Sequence, residues 1–153
     1  MTTSDMVRVY VQQLCKEISV SEESIYNAQN KAWYFTKGSI TIEVFMKSYE
    51  TVRKTIRTFV RVFAPIHVLP KDPQRLLECY QFALEANTQY MGVKLTTIVE
   101  KGFMYAVAER DINGMDYTEF TTIISDLASW ADQLDDTLKA RFGASTPSTP
   151  ASN

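Results

Sequence analysis

Apolar residues recur at helical spacing in three separate parts of the chain. They form stripes with a period of three to four residues over about 4–18, 71–87 and 116–141. The second stripe follows Asp72, a good N-cap residue, and the third follows Asp116, which stands three residues before a glutamate as in a capping box. The pattern therefore predicts a first, a middle and a long last helix.

Between the stripes the apolar residues alternate with polar ones, which is typical of strands buried on one face. Five such runs are bounded by turn residues: about 33–35, 40–46, 56–63, 93–99 and 103–110. The last two are joined by a short link that contains glycine, so they predict a hairpin. Pro65 lacks a backbone N–H, so we expect the third strand to end, bend or lie at an edge near it.

These elements predict an α+β fold in the order α-βββ-α-ββ-α, with a five-stranded antiparallel sheet and three helices. We expect the first and last helices to cover the apolar face of the sheet, with the ring of Trp130 packed against it. The middle helix is expected near an edge or on the other face. Residues 4–142 are predicted to form one domain and residues 143–153 a disordered tail, since the tail is small, uncharged and rich in Ser, Thr and Pro. The pattern does not place residues 20–31.

Composition narrows the classes of function. The chain has 153 residues, with 16 basic and 18 acidic side chains and a net charge of −2, which excludes a polycation but leaves room for a local basic patch. No apolar run approaches the roughly 18 residues of a membrane span, and no charged and apolar leader begins the chain. We therefore expect a cytoplasmic protein without a membrane partner. Cys15 and Cys79 are expected to be buried free thiols, with a disulfide between them as the alternative.

No group of residues has the pattern of a catalytic, cofactor or metal site. His67 is the only histidine and stands among apolar residues, which favours a structural or surface role. Residues 111–116 look like a calcium loop, but their glycine comes fourth and Thr122 stands where a bidentate glutamate is required, so we expect a turn. Asp132 and Asp136 share a helix face that reads as a solvated surface. The chain is therefore predicted not to be an enzyme and to need no cofactor or metal.

One stretch is enriched in basic residues that alternate with aromatic ones. Arg57 and Arg61 share a strand face with Phe59 and Phe63, and such a face can stack bases and hold phosphates. The favoured alternative is that the arginines pair with acids such as Glu43 while the phenylalanines pack under a helix or a second subunit. An open face would favour nucleic acid, and a face buried in a dimer would favour a protein partner. The basic residues of the stretch are Lys47, Arg53, Lys54, Arg57 and Arg61, against Glu50 alone.

Several spaced patterns resemble the bacterial YbjN family over residues 4–142. They are Ala64-Pro65-Ile66 before Leu69-Pro70, Leu84-Glu85-Ala86-Asn87, Trp130-Ala131-Asp132 with Leu138, and Arg141-Phe142-Gly143. That family shares the fold of class I type III secretion chaperones. The resemblance implies a non-enzymatic protein, since YbjN members are described as sensory-transduction or stress-related regulators. It also implies a homodimer, because the chaperone relatives act as homodimers that bind an extended client segment.

We therefore predict a protein-binding module, chaperone-like or regulatory, with a nucleic-acid-binding regulator as the alternative. The residues expected to contact the partner are Phe45, Arg57, Phe59, Arg61 and Phe63. An uncovered sheet face with large apolar side chains calls for a binding partner, and a symmetric contact through the middle helix is the simplest one. The residues expected at that homodimer interface are Leu76, Leu77, Tyr80 and Leu84.

Overall fold

Three of the four helices within residues 3–143 pack on one face of a single antiparallel sheet. A computed structural model of the chain describes residues 3–143. The predicted tail, apart from Gly143, lies outside the described residues. The helices are α1 Thr3–Glu17, the short α2 Glu22–Ile25, α3 Pro73–Ala86 and α4 Tyr117–Phe142, of which α1, α3 and α4 pack on the sheet.

Both predicted helix starts are confirmed by their caps. The Asp72 side chain accepts a hydrogen bond from the N–H of Arg75 at 2.9 Å. Asp116 and Glu119 form the reciprocal capping box at the start of α4. These bonds satisfy backbone donors that the first turn of a helix leaves free. The turn interpretation of residues 111–116 is also confirmed, because Asp111 Oδ1 accepts from the N–H of Asn113 at 2.9 Å.

The sheet has six strands in the spatial order β1-β2-β3-β4-β6-β5, and every neighbouring pair is antiparallel. They are β1 Tyr26–Asn27, β2 Ala32–Lys37, β3 Ile40–Glu50, β4 Ile56–Val68, β5 Lys94–Ile98 and β6 Phe103–Asp111, with a single 3-10 turn Val99–Lys101 between the last two. The prediction of five strands was wrong by one. The additional strand, β1, lies in the unplaced segment 20–31 and pairs only with Ala32 and Trp33. Two residues are too few to show an alternating pattern.

The helix-covered face of the sheet forms the main core. Val7 and Val11 of α1 and Leu127 and Leu134 of α4 are completely buried there against the inward residues of the strands. On the α3 side the core contacts are Cys79, Ala83 and Ala86. None of the helices within residues 3–143 is long and apolar enough to cross a membrane.

The middle helix lies beside the edge strand β5, which confirms the first of its two predicted placements, near an edge of the sheet. The amide of Asn87 at the end of α3 bonds both backbone groups of Leu95. Phe82 of α3 meets Phe142 of α4 edge to face, at 6.4 Å between ring centroids. α3 therefore shares the covered face with α1 and α4, and the placement on the opposite face was wrong.

β4 neither ends nor lies at an edge at Pro65, but its register with β6 shifts between Pro65 and His67, the irregularity that a bend there would produce. The shift lets Ile66 and His67 both be buried in the helix-covered core, so that the His67 ring lies 6.1 Å from the ring of Phe142. Burial lowers the pKa of His67, while the nearby carboxylate of Asp135 opposes this shift. His67 is thus a buried residue of the fold.

Two further predictions about side chains have different outcomes. Cys15 and Cys79 are buried free thiols, as predicted, and burial raises the pKa of each. Trp130 is only half-buried: its ring packs against the main core and lies 4.6 Å from the ring of Tyr90, measured between centroids. The helical stripe placed Trp130 on the correct side of α4, but it did not show that the loop after α3 supplies this ring contact.

Candidate functional site

The face of the sheet opposite the helices is not covered by any element within residues 3–143, and we call it the outer face. Strand register decides which side chains it carries, because residues directly opposite each other share a face. Phe45 of β3 faces Arg61 of β4, and Phe63 of β4 faces Val107 of β6. The five predicted partner residues, Phe45, Arg57, Phe59, Arg61 and Phe63, all lie on this face.

An aromatic cluster occupies the middle of the outer face. It consists of Phe63, Tyr105 and Val107, which are buried, with the partly buried Phe45, Ile98 and Phe103 packed against them. Ring centroids lie 5.3 Å apart between Phe45 and Phe63, and 6.1 Å apart between Phe63 and Tyr105. The surrounding side chains therefore cover the centre of the cluster, and only 8% of the surface of Phe63 is exposed to solvent. The sequence pattern led us to expect Phe63 to pack under a helix or a second subunit, but the cluster buries it without either.

Ion pairs border the cluster on the β4–β6 side. Arg61 Nε donates to Glu109 Oε2 at 2.6 Å, and Lys94 binds the other oxygen of the same carboxylate. Arg57 Nε donates to Asp111 Oδ2 at 2.7 Å. The prediction that the arginines pair with acids is confirmed, but their partners lie on β6 and do not include Glu43.

The register explains this difference. Glu43 stands opposite Phe63 and accepts a hydrogen bond from the Tyr34 hydroxyl at 2.8 Å. Glu109 stands directly opposite Arg61 on the other neighbouring strand. The sequence pattern predicts the alternation along β4, but it does not show that β6 becomes the neighbour of β4.

The arginines also stack on the aromatic rings. The guanidinium carbon of Arg61 lies 4.7 Å from the ring centroid of Phe63 and 5.7 Å from that of Phe45. Arg57 lies 5.2 Å from the centroid of Phe59. Cation–π contacts of this kind hold a guanidinium in place above an apolar surface. The polar border and the aromatic cluster are therefore one preformed surface.

The acids of this border are held in their charged forms. Although burial opposes it, the ammonium of Lys94 and the guanidinium of Arg61 keep the pKa of Glu109 below its ordinary value. The N–H of Asn113, followed by the guanidinium of Arg57, lowers the pKa of Asp111. Both arginines thus face a carboxylate that stays ionised at neutral pH, which reduces their capacity to bind a phosphate.

A shallow groove of about 260 Å³ opens beside the cluster, at the end of the sheet where β6 stops. It is lined by Lys47, Tyr49, Phe59, Arg61 and Glu109. Phe59 and Arg61 were predicted partner residues, whereas Tyr49 and Glu109 were missed. Tyr49 continues the alternation of β3 two residues beyond Lys47, and this spacing could have identified it.

The other missed residues of the outer face lie on β5 and β6. Ile98, Phe103, Tyr105 and Val107 complete the cluster. The sequence carries a signal for three of them, since 103–108 is an unbroken apolar run, and such runs are typical of strands buried on both faces. Among residues 3–143, His, Cys, Asp and Glu side chains form no group of three that could hold a metal ion.

The predicted dimer residues lie along α3. Leu77 and Leu84 are 61% and 71% exposed, while Leu76 and Tyr80 are half-buried. They share the side of α3 next to its core contacts, which gives that helix an uncovered apolar stripe. Ala83, next to Leu84 along the chain, is buried.

No family model and no curated protein matches this chain. The YbjN resemblance therefore stays a prediction. A search of solved structures finds a similar chain in the structure titled "Structure of the HopA1-SchA Chaperone-Effector Complex", with a TM-score of 0.57 at 8% sequence identity. The match covers 86% of this chain and 97% of that one. At this identity the similarity establishes the fold: an antiparallel sheet flanked by helices in the order α-β-α-β-α, as in a type III secretion chaperone.

Proposed function

We propose that the protein is a non-enzymatic binding module, chaperone-like or regulatory, that binds a segment of a partner protein on its outer face. The observation that carries this proposal is the aromatic cluster on an uncovered sheet face. A cytoplasmic location fits the two free thiols, Cys15 and Cys79, since reducing compartments keep thiols unpaired. Membership of the YbjN family is part of the same proposal.

The composition of the outer face supports a protein partner. Interface centres are enriched in aromatic residues and arginine, and their rims are polar. Here Phe45 and Phe59 are half-buried, and each stacks with an arginine that an acid on β6 already neutralises. A partner that covers them would bury apolar surface without leaving an unpaired charge behind. The related fold in a chaperone–effector complex is consistent with this use.

The open edge of the sheet offers a second contact for an extended segment. β1 covers only Ala32 and Trp33 of β2 within the described part of the chain, so residues 34–37 present free backbone groups. An extended peptide can add a strand to such an edge. The edge of β2 and the outer face are continuous, so one partner segment could use both.

Homodimerisation through α3 is the third part of the proposal. Leu77 and Leu84 are exposed apolar side chains on the same side of the helix, and a two-fold contact would cover both stripes at once. This contact leaves the outer face and the β2 edge free. Dimerisation and partner binding would therefore use separate surfaces.

A nucleic-acid-binding regulator remains the second candidate. The stacking of Arg57 and Arg61 on phenylalanine rings, on a face open to solvent in the single chain, is the observation that favours it. The ion pairs to Asp111 and Glu109 argue against it, because a phosphate would have to displace a carboxylate from each guanidinium.

The test compares proteins captured from lysate by the wild-type chain and by Phe59→Ser, with Met91→Ser as the matched control. Met91 is exposed and lies in the loop after α3, next to Tyr90, which packs on Trp130 of α4. A captured protein that Phe59→Ser loses and Met91→Ser keeps is then purified, and its binding is measured by calorimetry. Both variants must melt at the wild-type temperature.

Saturable binding of that purified protein, weakened at least tenfold by Phe59→Ser, would support the proposal. The proposal is overturned if Phe59→Ser keeps every interaction. It is also overturned if a labelled oligonucleotide binds and Arg57→Ala with Arg61→Ala abolishes that binding, while no protein depends on Phe59. This last result would establish the second candidate.

A further inference from the structure

The β3–β4 hairpin extends beyond the strands on either side of it. Pairing of β3 with β2 stops at Phe45, and pairing of β4 with β6 begins at Phe59, whereas β3 and β4 pair with each other out to Glu50 and Ile56. The residues from 48 to 58 therefore form a ribbon with a turn at its end, and this ribbon is two-stranded beyond Thr58, whose carbonyl still accepts a hydrogen bond from the N–H of Ile112. We call them the hairpin tip.

Hydrogen bonds fix the conformation of the hairpin tip. The N–H of Thr51 donates to the carbonyl of Thr55 at 2.8 Å, and the N–H of Lys54 donates to the carbonyl of Thr51 at 2.8 Å. The two threonine hydroxyls lie 2.6 Å apart, and the hydroxyls of Ser48 and Thr58 bond across the ribbon at 2.8 Å. The tip is thus preorganised, and little conformational entropy would be lost when it binds a surface.

The end of this ribbon is apolar. Val52 is fully exposed in the turn, and Ile56, where β4 begins, is 77% exposed. Tyr49, on the outer face of the ribbon, is 47% exposed. The end of the projecting hairpin therefore presents two aliphatic side chains that the fold leaves uncovered.

The same ribbon is positively charged. Arg53 and Lys54 lie in the turn and Lys47 lies at its base, and none of the three has an ion pair among the described residues. Glu50 is the one acid in the sequence from Lys47 to Arg61. The whole chain carries a net charge of −2, so the excess of positive charge at the hairpin tip is a local feature.

We propose that the hairpin tip docks the protein on the surface of an anionic lipid bilayer. In this arrangement Val52 and Ile56 enter the boundary between headgroups and acyl chains, and Arg53 and Lys54 contact the lipid phosphates. Peripheral binding of this kind scales with buried apolar area plus the attraction of basic residues to anionic lipids. It requires no membrane-spanning segment, so the lack of an apolar run does not argue against it.

Shape and chemistry favour lipid over the other anionic surfaces. The tip is convex and ends in aliphatic groups, which a fluid bilayer can accommodate without a matching pocket. Single-stranded nucleic acid would call for aromatic side chains beside the free cations, and the turn itself has none. This proposal is independent of the proposed protein-binding function, because it uses neither the aromatic cluster nor α3.

The experiment is co-sedimentation of the purified full chain with vesicles. One set of vesicles contains phosphatidylglycerol mixed with phosphatidylcholine, and the other contains phosphatidylcholine alone. We expect the wild-type chain to bind only the first set. Arg53→Ala with Lys54→Ala is expected to lower the vesicle partition coefficient about tenfold or more, and Val52→Asp to lower it by a similar factor.

The controls repeat these changes at the opposite end of β4. Val99→Asp matches Val52→Asp, and Lys71→Ala with Lys101→Ala removes the same two charges. All variants change exposed residues, and their melting temperatures confirm folding. Retained binding of the control variants, together with loss in both tip variants, supports the proposal.

Three results would overturn it. The first is a wild-type chain that stays in the supernatant with the phosphatidylglycerol vesicles. The second is an equal loss of binding in the tip and control variants, which would mean that general charge drives adsorption. The third is a Val52→Asp variant that binds as well as wild type, which would show that the apolar end does not enter the bilayer. In any of these cases, binding of an oligonucleotide that requires Arg53 and Lys54 would assign the tip to nucleic acid.

Discussion

Asn87 and Leu95 are joined by a pair of hydrogen bonds that resembles one rung of a strand ladder. The N–H of Leu95 donates to Asn87 Oδ1 at 2.6 Å, and Asn87 Nδ2 donates to the carbonyl of Leu95 at 3.2 Å. The side chain that ends α3 thereby satisfies both backbone groups of a residue on the edge strand β5. One amide connects the middle helix to the sheet.

Loss of this amide should destabilise the fold. Asn87→Ala leaves the N–H and carbonyl of Leu95 without their partner, so we expect the free energy of unfolding to fall by about 1–3 kcal/mol. Urea denaturation followed by circular dichroism measures this. Gln89→Ala is the control, since Gln89 is exposed in the same loop, and it should change stability by less than about 0.5 kcal/mol. Equal stability of the two variants would show that water replaces the amide at no cost.

Trp130 should couple to Tyr90. The ring contact at 4.6 Å predicts a coupling of about 0.5–1.5 kcal/mol in a double-mutant cycle of Trp130→Ala and Tyr90→Ala. Since Trp130 is only half-buried, Trp130→Ala alone should cost less than the roughly 3–5 kcal/mol of a fully buried ring. Additive effects in the cycle would contradict the contact.

Dimerisation through α3 predicts a specific response to charge. Light scattering of the wild-type chain at micromolar concentration should give twice the 17.5 kDa of one chain. Leu77→Asp with Leu84→Asp should give the monomer mass without unfolding the chain, because both side chains are more than half exposed. Val99→Asp should remain dimeric. A wild-type mass of one chain would show that no dimer forms. A dimer that survives the double substitution would place the contact elsewhere.

The buried His67 should weaken the fold in mild acid. Burial lowers its pKa in the folded protein below the ordinary value of 6.5, and Lys139 adds to the shift while Asp135 opposes it. The unfolded chain therefore binds a proton at a higher pH than the folded chain does. The stability linked to His67 is complete above about pH 6.5 and is lost as the pH falls toward the folded pKa.

Urea titrations at about pH 7.5 and about pH 5.5 test this sign. The free energy of unfolding should fall between the two, and His67→Gln should reduce the fall because glutamine does not titrate. A His67→Gln variant with the wild-type pH dependence would show that other groups carry the effect. His67→Gln is compared only with itself across pH, so a general loss of stability does not affect the result.

The parts of the fold that the sequence predicts are those controlled by local chemistry. Asp72 and Asp116 act as caps within three residues of their own positions, and the alternation of Arg57, Phe59, Arg61 and Phe63 fixes their common face whatever strand lies alongside. Partners across the sheet are not local. That Arg61 pairs with Glu109 depends on β6 lying between β4 and β5, which no pattern within β4 encodes.

The same reasoning explains the rest of the candidate site. Phe63 is buried because Tyr105 and Val107 come from a strand more than forty residues later, so its burial follows from topology alone. The exposure of Val52 is also non-local, since it results from β2 and β6 stopping before the hairpin does. A sequence pattern identifies an apolar residue, but the ends of neighbouring strands decide whether anything covers it.

The two edges of the sheet differ in a way that limits self-assembly. Asn87 occupies the backbone of Leu95 on the β5 side and α3 lies along that strand, whereas residues 34–37 of β2 present an unoccupied edge. Fibrous growth by strand pairing requires two receptive edges on each copy, one to accept and one to offer. Copies that join β2 to β2 across a two-fold axis would form a combined sheet that ends on both sides in β5, where Asn87 already occupies the backbone of Leu95. Edge-to-edge association of this chain is therefore expected to favour such a pair over a filament.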